Sequence, residues 1–376
     1  MLHIRFINAI NQLPAEQWNA LLGDTDYPFI QHGFLSALEQ SGAVGEGTGW
    51  QPHHLLVLDG ETLVAAMPLY LKSHSYGEYV FDQGWAQAYQ QHGLSYYPKL
   101  VAAIPFTPAV GPRVLTRHWS AELAEVIHQG LVTEARRLGA SSWHVLFDKE
   151  ARLAGEGSQT REGVQFHWFN RGYQSFEDFL ATFKSRKRKA VNKERQLACE
   201  GLEVRTLEGS DITPALWQRF YLFYQRTYLI RSGHGGYLSD TFFHQLGAAL
   251  PAHLLLVAAY DGDEMVAASL FLKDSTTLYG RYWGALGDFD RLHFECCYYR
   301  GIEYCIRHGL ARFDAGAQGE HKVARGFEPV VTQSQHWLAH PGFFEAVGDF
   351  VAEEKAALAD YRQALTEQLP YRQPEP

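Results

Sequence analysis

Residues 278–327 read LYGRYWGALGDFDRLHFECCYYRGIEYCIRHGLARFDAGAQGEHKVARGF. The stretch predicts a strand, a helix, a second strand and then a polar, glycine-rich turn. In the helix, Phe294, Tyr298, Gly301, Ile302 and Cys305 recur at the spacing of one apolar face. Two strands joined through a helix imply an α/β layer structure, with a ligand expected at the carboxyl end of the first strand, near Trp283 to Leu286. A purely structural unit does not need Arg281, His293, Glu295, Glu320, His321 and Lys322 at its turns. Their crowding around glycines, which let a backbone approach a bound molecule, marks this region as the leading active-site candidate.

Composition narrows the classes. A chain of 376 residues suits two domains rather than one core. The net charge of −9 argues against a general nucleic-acid coat, which needs surplus Lys and Arg. The four cysteines form no Cys-x-x-Cys, and three of them fall in the predicted helix as small buried hydrophobes. No His/Asp/Glu set shows metal-ligand spacing, so no metal is expected. Gly-x-Ser-x-Gly, Walker A and dinucleotide fingerprints are absent. No apolar run is long enough to span a bilayer, and the N-terminus is too polar for a signal segment, so a cytoplasmic protein without stable membrane insertion is expected.

The first half opens with a strand near residues 3–7 and helices near 14–22 and 33–41. A hairpin follows, residues 54–58 and 63–72, turning at Asp59-Gly60. Residues 73–112 are rich in Gly and Pro and read as irregular. A helix over 121–138 and a strand over 142–147 come next. The polar, glycine-rich stretch 151–163 places a domain boundary at about residue 155. The second half predicts a strand over 164–169, one long helix over 176–200 capped by Ser175, helices over 214–228 and 239–250, and a hairpin, 254–259 and 265–273. PHHLLVLDGETLVAAMPLYLK from Pro52 echoes PAHLLLVAAYDGDEMVAASLFLK from Pro251. Either two ordinary hairpins coincide or the α/β domain is duplicated. The fold class expected is α/β (α+β), with mixed, mostly antiparallel sheets flanked by helices.

Six segments carry a resemblance: SHSYGEYVFD (73–82), YPKLVAAIPFTPAVGPR (97–113), SRKRKAVNKER (185–195), RYWG (281–284), HFECCYYRGIEYCIRHGL (293–310) and AGAQGEHKVARGF (315–327). In these the chain resembles a bacterial family of predicted N-acyltransferases, related to the Fem peptidoglycan aminoacyltransferases and more remotely to the GNAT N-acetyltransferase superfamily. The resemblance implies tandem GNAT-like domains, 1–155 and 156–376, with the active site in the second. It implies transfer of an acyl or aminoacyl group from acyl-CoA (acetyl-CoA) or aminoacyl-tRNA to a small-molecule or peptide amine. The Arg/Gln-x-x-Gly-x-Gly/Ala turn that holds CoA in GNAT enzymes is not at the matching place. Gly284-Ala-Leu-Gly-Asp-Phe-Asp290 stands there, and its carboxylates would repel a pyrophosphate.

Lys184, Arg186, Lys187, Arg188, Lys189, Lys193 and Arg195 lie within twelve residues, opposed only by Glu194. Such a run in an acidic chain points to an anionic partner: CoA phosphates, a nucleotide-linked sugar or tRNA. A solvated helix face is the plain alternative. Acyl transfer needs a proton acceptor for the amine, a polarised carbonyl and a proton for the leaving group. Glu295, ahead of His293, is the expected acceptor. Tyr298 is the expected donor, or else a member of the core stripe. Arg281, Trp283, Glu320, His321, Lys322 and Arg325 are expected to bind substrate. The rival reading is a non-catalytic binding module for a peptidoglycan precursor or another anionic ligand.

Overall fold

A computed structural model describes residues 1–155, 157–317 and 319–372. The chain divides into two compact units, Met1–Val164 with Val331–Asp360, and Gln165–Val330 with the chain from Tyr361 onward. The expected cut at residue 155 differs from this division. Residues 159–163, read from their polarity as linker, are strand, and residues 331–360 join the first unit.

In chain order the elements up to residue 169 are β1 (Leu2–Ile7), α1 (Ala15–Asn19), α2 (His32–Gln40), β2 (Trp50–Pro52), β3 (His54–Asp59), β4 (Thr62–Met67), β5 (Tyr70–Lys72), α3 (Gln83–Gln91), β6 (Lys99–Ala102), α4 (Ala121–Leu138), β7 (Ser142–Leu146) and β8 (Gln159–Phe169). There follow α5 (Phe176–Ala181), α6 (Ser185–Ala198), β9 (Glu203–Glu208), α7 (Pro214–Ser232), α8 (Asp240–Ala249), β10 (Leu254–Asp261), β11 (Glu264–Lys273), β12 (Thr277–Ala285), α9 (Leu292–Phe294), a π-helical turn Glu295–Tyr299, α10 (Arg300–His308) and β13 (Arg312–Asp314). A 3-10 turn Glu320–Arg325, β14 (Glu328–Leu338) and α11 (Pro341–Glu367) complete the chain.

In the first unit β1, β3 and β4 form one antiparallel sheet. A second runs β2-β5-β6-β7, with Ser334–Leu338 of β14 on β7. The predicted strand over 63–72 is therefore two strands in different sheets, interrupted at Pro68, which has no N–H for a ladder. The echoing β11 lacks that proline and runs unbroken. Both hairpins turn through an Asp-Gly whose glycine has positive φ, Gly60 and Gly262. The stretch read as irregular contains α3 and β6. The latter is only four residues long and buried throughout, so it offers no alternation to read.

The second unit's strands run β8-β13-β12-β11-β10-β9, all antiparallel except β12 with β13. The first unit has the matching parallel pair, β6 with β7 across α4. The single helix expected over 176–200 is two helices. Between them Thr182 O accepts from Arg372 N, and Lys184 N donates to Pro370 O, so the chain end pins the break. Helix α7 starts at a Thr213 cap followed by Pro214, and ends at left-handed Gly233. It crosses β12 closely: a Cβ at Gly284 would lie 2.2 Å from the Phe223 carbonyl oxygen.

Candidate active site

Strand β12 pairs with β13 only through Thr277–Tyr279 opposite Arg312–Asp314. On its other edge β12 stays paired with β11 to Ala285, with a register shift between Leu270 and Phe271 that leaves Arg281 as an extra residue. The two parallel strands part after Tyr279. Beside the end of β12 lies a cavity of about 380 Å³ lined by Trp283, Ala285, Gly287, Asp288, Phe289, Asp290 and His293. This is where the sequence placed a ligand.

The helix that enters from this end is not a plain α-helix. Glu295–Tyr299 form a π turn, an insertion that shifts the side chains around the bend relative to a regular stripe. Phe294, Cys297, Tyr298 and His293 gather as a result. His293 stands edge-on to Trp283, ring centroids 5.5 Å apart, and edge-on to Tyr298 at 5.4 Å. Burial, with His321, Arg231, Arg325 and Lys322 nearby, pushes the His293 pKa down to about 3, so its imidazole is neutral near pH 7. The Tyr298 hydroxyl lies 2.9 Å from His321 Nε2. Burial raises the Tyr298 pKa well above the ordinary tyrosine range, so it keeps its proton. Burial, then Arg325 and Lys322, lower the His321 pKa.

Lys322 is 2% exposed and donates to Gly316 O at 2.8 Å. Gly316 in turn donates through its N–H to Asp314 Oδ1 at 2.9 Å. The second oxygen of Asp314 is buried, without a hydrogen bond, 3.6 Å from His167 Nε2. Burial drops the Lys322 pKa to about 8, although Asp314 and Cys297 pull the other way. Burial likewise drops His167 to about 4. Arg325 lies over the Phe294 ring, 3.5 Å from its centroid, donates to His321 O at 2.7 Å and pairs with Glu194 at 2.7 Å. Three cations, Arg231, Lys322 and Arg325, thus act on one neutral imidazole.

A family model matches residues 9–373. The chain belongs to the FemAB-like family, described as peptidoglycan biosynthesis/recognition. No curated protein sequence matches the chain. Among solved structures it is similar to FemX, at 10% identity and a TM-score of 0.52 over 92% of this chain and 100% of that one. It is also similar to a conserved protein of unknown function from Bacteroides thetaiotaomicron, at 11% identity and a TM-score of 0.51 over 89% and 99%. A tandem GNAT protein from the clavulanic acid biosynthesis pathway aligns at 12% identity and a TM-score of 0.47 over 91% and 99%. At such identities the likeness is one of fold: mixed sheets flanked by helices.

Within this FemAB-like chain the residues singled out in the sequence fall into separate places. His293 and Trp283 line the cavity, and Tyr298, His321, Lys322 and Arg325 lie behind it. Glu295, the expected proton acceptor, is corrected by the geometry. It is 0% exposed, and its two oxygens take Arg195 at 2.8 and 2.9 Å and Arg300 at 2.7 Å. Buried with guanidinium groups on both oxygens, Glu295 ties α6 to the crossover helix. Glu320 is exposed and accepts from the Tyr361 hydroxyl at 2.6 Å, away from the cavity lining. Arg281 is half-buried on the bulge, its guanidinium 5.3 Å from the Tyr282 ring centroid. Gln318, in the glycine-rich turn, lies outside the described residues.

The basic run forms the outer face of α6. Lys184, Arg186, Lys187 and Lys189 are exposed and Arg188 is half-buried. Glu194 and Arg195 on the same helix face inward to Arg325 and Glu295. Arg231, Asp314 and His167 escaped the sequence reading. Arg231 looks like any cation in the last turn of a helix, and the other two sit inside strands. Among the described residues no group of three or more His, Cys, Asp or Glu is placed to hold a metal, and no helix is long and apolar enough to cross a membrane.

Proposed function

We propose that the second unit is an N-acyltransferase acting where β12 parts from β13. The observation that carries this is the meeting of the Lys322 ammonium, the Tyr298–His321 pair and an uncharged His293 at the parted end of a parallel strand pair. The acceptor amine attacks the donor carbonyl carbon. A C–N bond forms and the carbonyl electron pair moves onto oxygen, where Lys322 supplies the compensating charge. Collapse of that intermediate breaks the bond to sulfur or ribose oxygen. The amine proton passes to His321, whose lowered pKa leaves it neutral and able to accept. Tyr298, hydrogen-bonded to His321, delivers a proton to the departing group and recovers one from the imidazole, so the pair ends as it began. His293 is the poorer base, since a group with a pKa of about 3 has little driving force for taking a proton near neutrality.

The donor we propose is an acyl-CoA or an aminoacyl-tRNA, supported by the exposed cations of α6, the helix whose Glu194 pairs with Arg325. The acceptor is a small-molecule or peptide amine, in keeping with the family's peptidoglycan description. The test is transfer of labelled acyl groups from acetyl-CoA and from charged tRNA to a panel of amines, by the intact chain and by Lys322→Met. Transfer that the substitution removes supports the proposal. Ligand binding without turnover from either donor overturns it in favour of a non-catalytic binding module. Loss of the Lys322 charge as pH rises through about 8 should lower the rate on the alkaline side.

A further inference from the structure

Strand β13 ends at Asp314, opposite Tyr279 of β12 on one side and His167 of β8 on the other. The residue is 2% exposed. Its Oδ1 accepts from Gly316 N at 2.9 Å, and Gly316 O accepts from Lys322 Nζ at 2.8 Å, so one turn carries both charges. Gly316 has a positive φ of 86°, which a glycine adopts without strain. Asp314 Oδ2 makes no hydrogen bond. His167 Nε2 stands 3.6 Å away and lies nearer Gln165 Oε1, at 3.2 Å. A buried carboxylate oxygen left without a donor is costly to the fold, so its charge needs another use. Beyond burial, Asp314 and Cys297 are the groups that act on the Lys322 ammonium. Burial pushes the Cys297 thiol up to about 12 and holds His167 at about 4, so both are neutral near pH 7. Burial also lowers His293 and His321 and keeps the proton on Tyr298. Arg231 and Arg325 add positive charge from α7 and the 3-10 turn, and Glu194 is taken up by Arg325. Asp314 is the carboxylate left to offset the lysine.

We infer that Asp314 is a positioning residue for the transfer: through the Gly316 turn and its unbonded Oδ2 it keeps the Lys322 ammonium charged and in place beneath the opening. The inference deepens the acyl-transfer reading and rests on it. Asp314 acts through Lys322 and does not touch substrate. Among the described residues Lys322 Nζ spends one of its three hydrogens, on Gly316 O, which leaves the others for a ligand oxygen. A neutral lysine at this spot would leave the charge that develops on the carbonyl oxygen uncompensated.

The test is an NMR titration of the full chain, isotope-labelled at the lysine Cε, with the Lys322 signal identified as the one missing from Lys322→Met. The Lys322 midpoint should lie at about 8 in the unsubstituted protein. It should fall by about one pH unit in Asp314→Asn, which keeps an oxygen for the Gly316 N–H and loses the charge. The alkaline limb of the transfer rate should move with it, while the rate at lower pH stays within a few-fold. Asp314→Glu should restore the midpoint. If Asp314→Asn does not fold, Asp314→Ser carries the same expectation, its hydroxyl standing in for Oδ1. An unmoved midpoint in the folded variant overturns the inference. A rate loss that is uniform across pH also overturns it, because Asp314 would then only support the turn. The midpoint is read without turnover, so the two readings fail separately. Transfer that survives Lys322→Met faults the acyl-transfer reading, whatever the midpoint does. Transfer lost in Lys322→Met with an unmoved midpoint in Asp314→Asn leaves that reading standing and removes this one.

Discussion

The two units share a parallel strand–helix–strand crossover and use the space at its end in opposite ways. In the first unit β6 leaves β7 after Ala102, and the long connection to α4 folds back into the opening. Gly111 pairs with the edge of β7 through Phe147 O at 3.1 Å and Lys149 N at 3.0 Å. Arg113, 0% exposed, donates to Leu146 O and Ala109 O at 2.7 Å each. In the second unit the connection from β12 to α9 is short, residues 286–291. The matching opening holds a lysine, a tyrosine–histidine pair and a cavity. One crossover is closed with backbone and guanidinium; the other stays open. The difference lies in the loop, which supports the rule that function sits in connections held by a rigid scaffold.

The first unit also buries charge, but to a structural end. Lys99 donates to Glu78 at 2.8 Å, to Ser75 at 2.9 Å and to Asp82, which also accepts from Tyr96 at 2.7 Å. From Tyr96 the polar chain continues through His144 to His336, 2.7 Å apart. Burial opposes the Asp82 charge, yet Lys99 holds its pKa below the usual value. Beside it, burial drops Lys72 to about 7. Glu78 and Asp82 lie in the segment 73–82, and their partners make them a core network.

The sharpest way to break the comparison is to neutralise the cation of each opening. Lys322→Met should lower kcat about 10²- to 10³-fold, as loss of one transition-state donor does. Arg113→Met should leave kcat of the folded protein within about twofold while costing ~1–3 kcal/mol of stability in urea, because the buried Leu146 and Ala109 carbonyls each lose a donor, Ala109 keeping the Tyr27 hydroxyl. A large kcat loss in Arg113→Met would mean the first opening is catalytic too.

The two buried tyrosines give the next contrast. Tyr298→Phe should cut kcat about 10²-fold with substrate binding retained. Tyr96→Phe should cost ~1–2 kcal/mol of stability with little change in rate, since it removes the donor to Asp82 and the hydroxyl's contact with His144, both within the core network. Steady-state kinetics beside urea titrations read both.

Acid should erase the difference between the units. Burial holds His336 at about 3 and His144 well below the histidine range in the first unit, and His293 at about 3 and His167 at about 4 in the second. Each folded pKa lies below its unfolded value, so the unfolded chain binds more protons. Stability is therefore complete above about pH 6.5 and falls as pH drops toward 3–4, by roughly 1.4 kcal/mol per pH unit for each histidine. Hydrogen exchange should show both units loosening together.

The smallest effect belongs to α6. Lys187→Ala with Lys189→Ala should weaken polyanion binding a few-fold and reduce the salt dependence by about one counterion per charge removed. An unchanged salt slope would make the run a solvated face.

The sequence by itself determined the elements whose physics is local. The Asp-Gly hairpins, the capped helices and the crossover of residues 278–327 follow from turn chemistry and apolar period. The cavity's place at the end of β12 follows from strand direction. Family segments identified the family. Tertiary structure alone decided which polar residues face one another. Glu295 and Lys322 read alike as charges at turns, but one is locked between two arginines from separate helices and the other is buried beneath the opening. The split of 176–200 into two helices required residues 370–372 to arrive from far along the chain. Such pairings depend on long-range approach and on burial, and neither leaves a periodic trace in the order of residues.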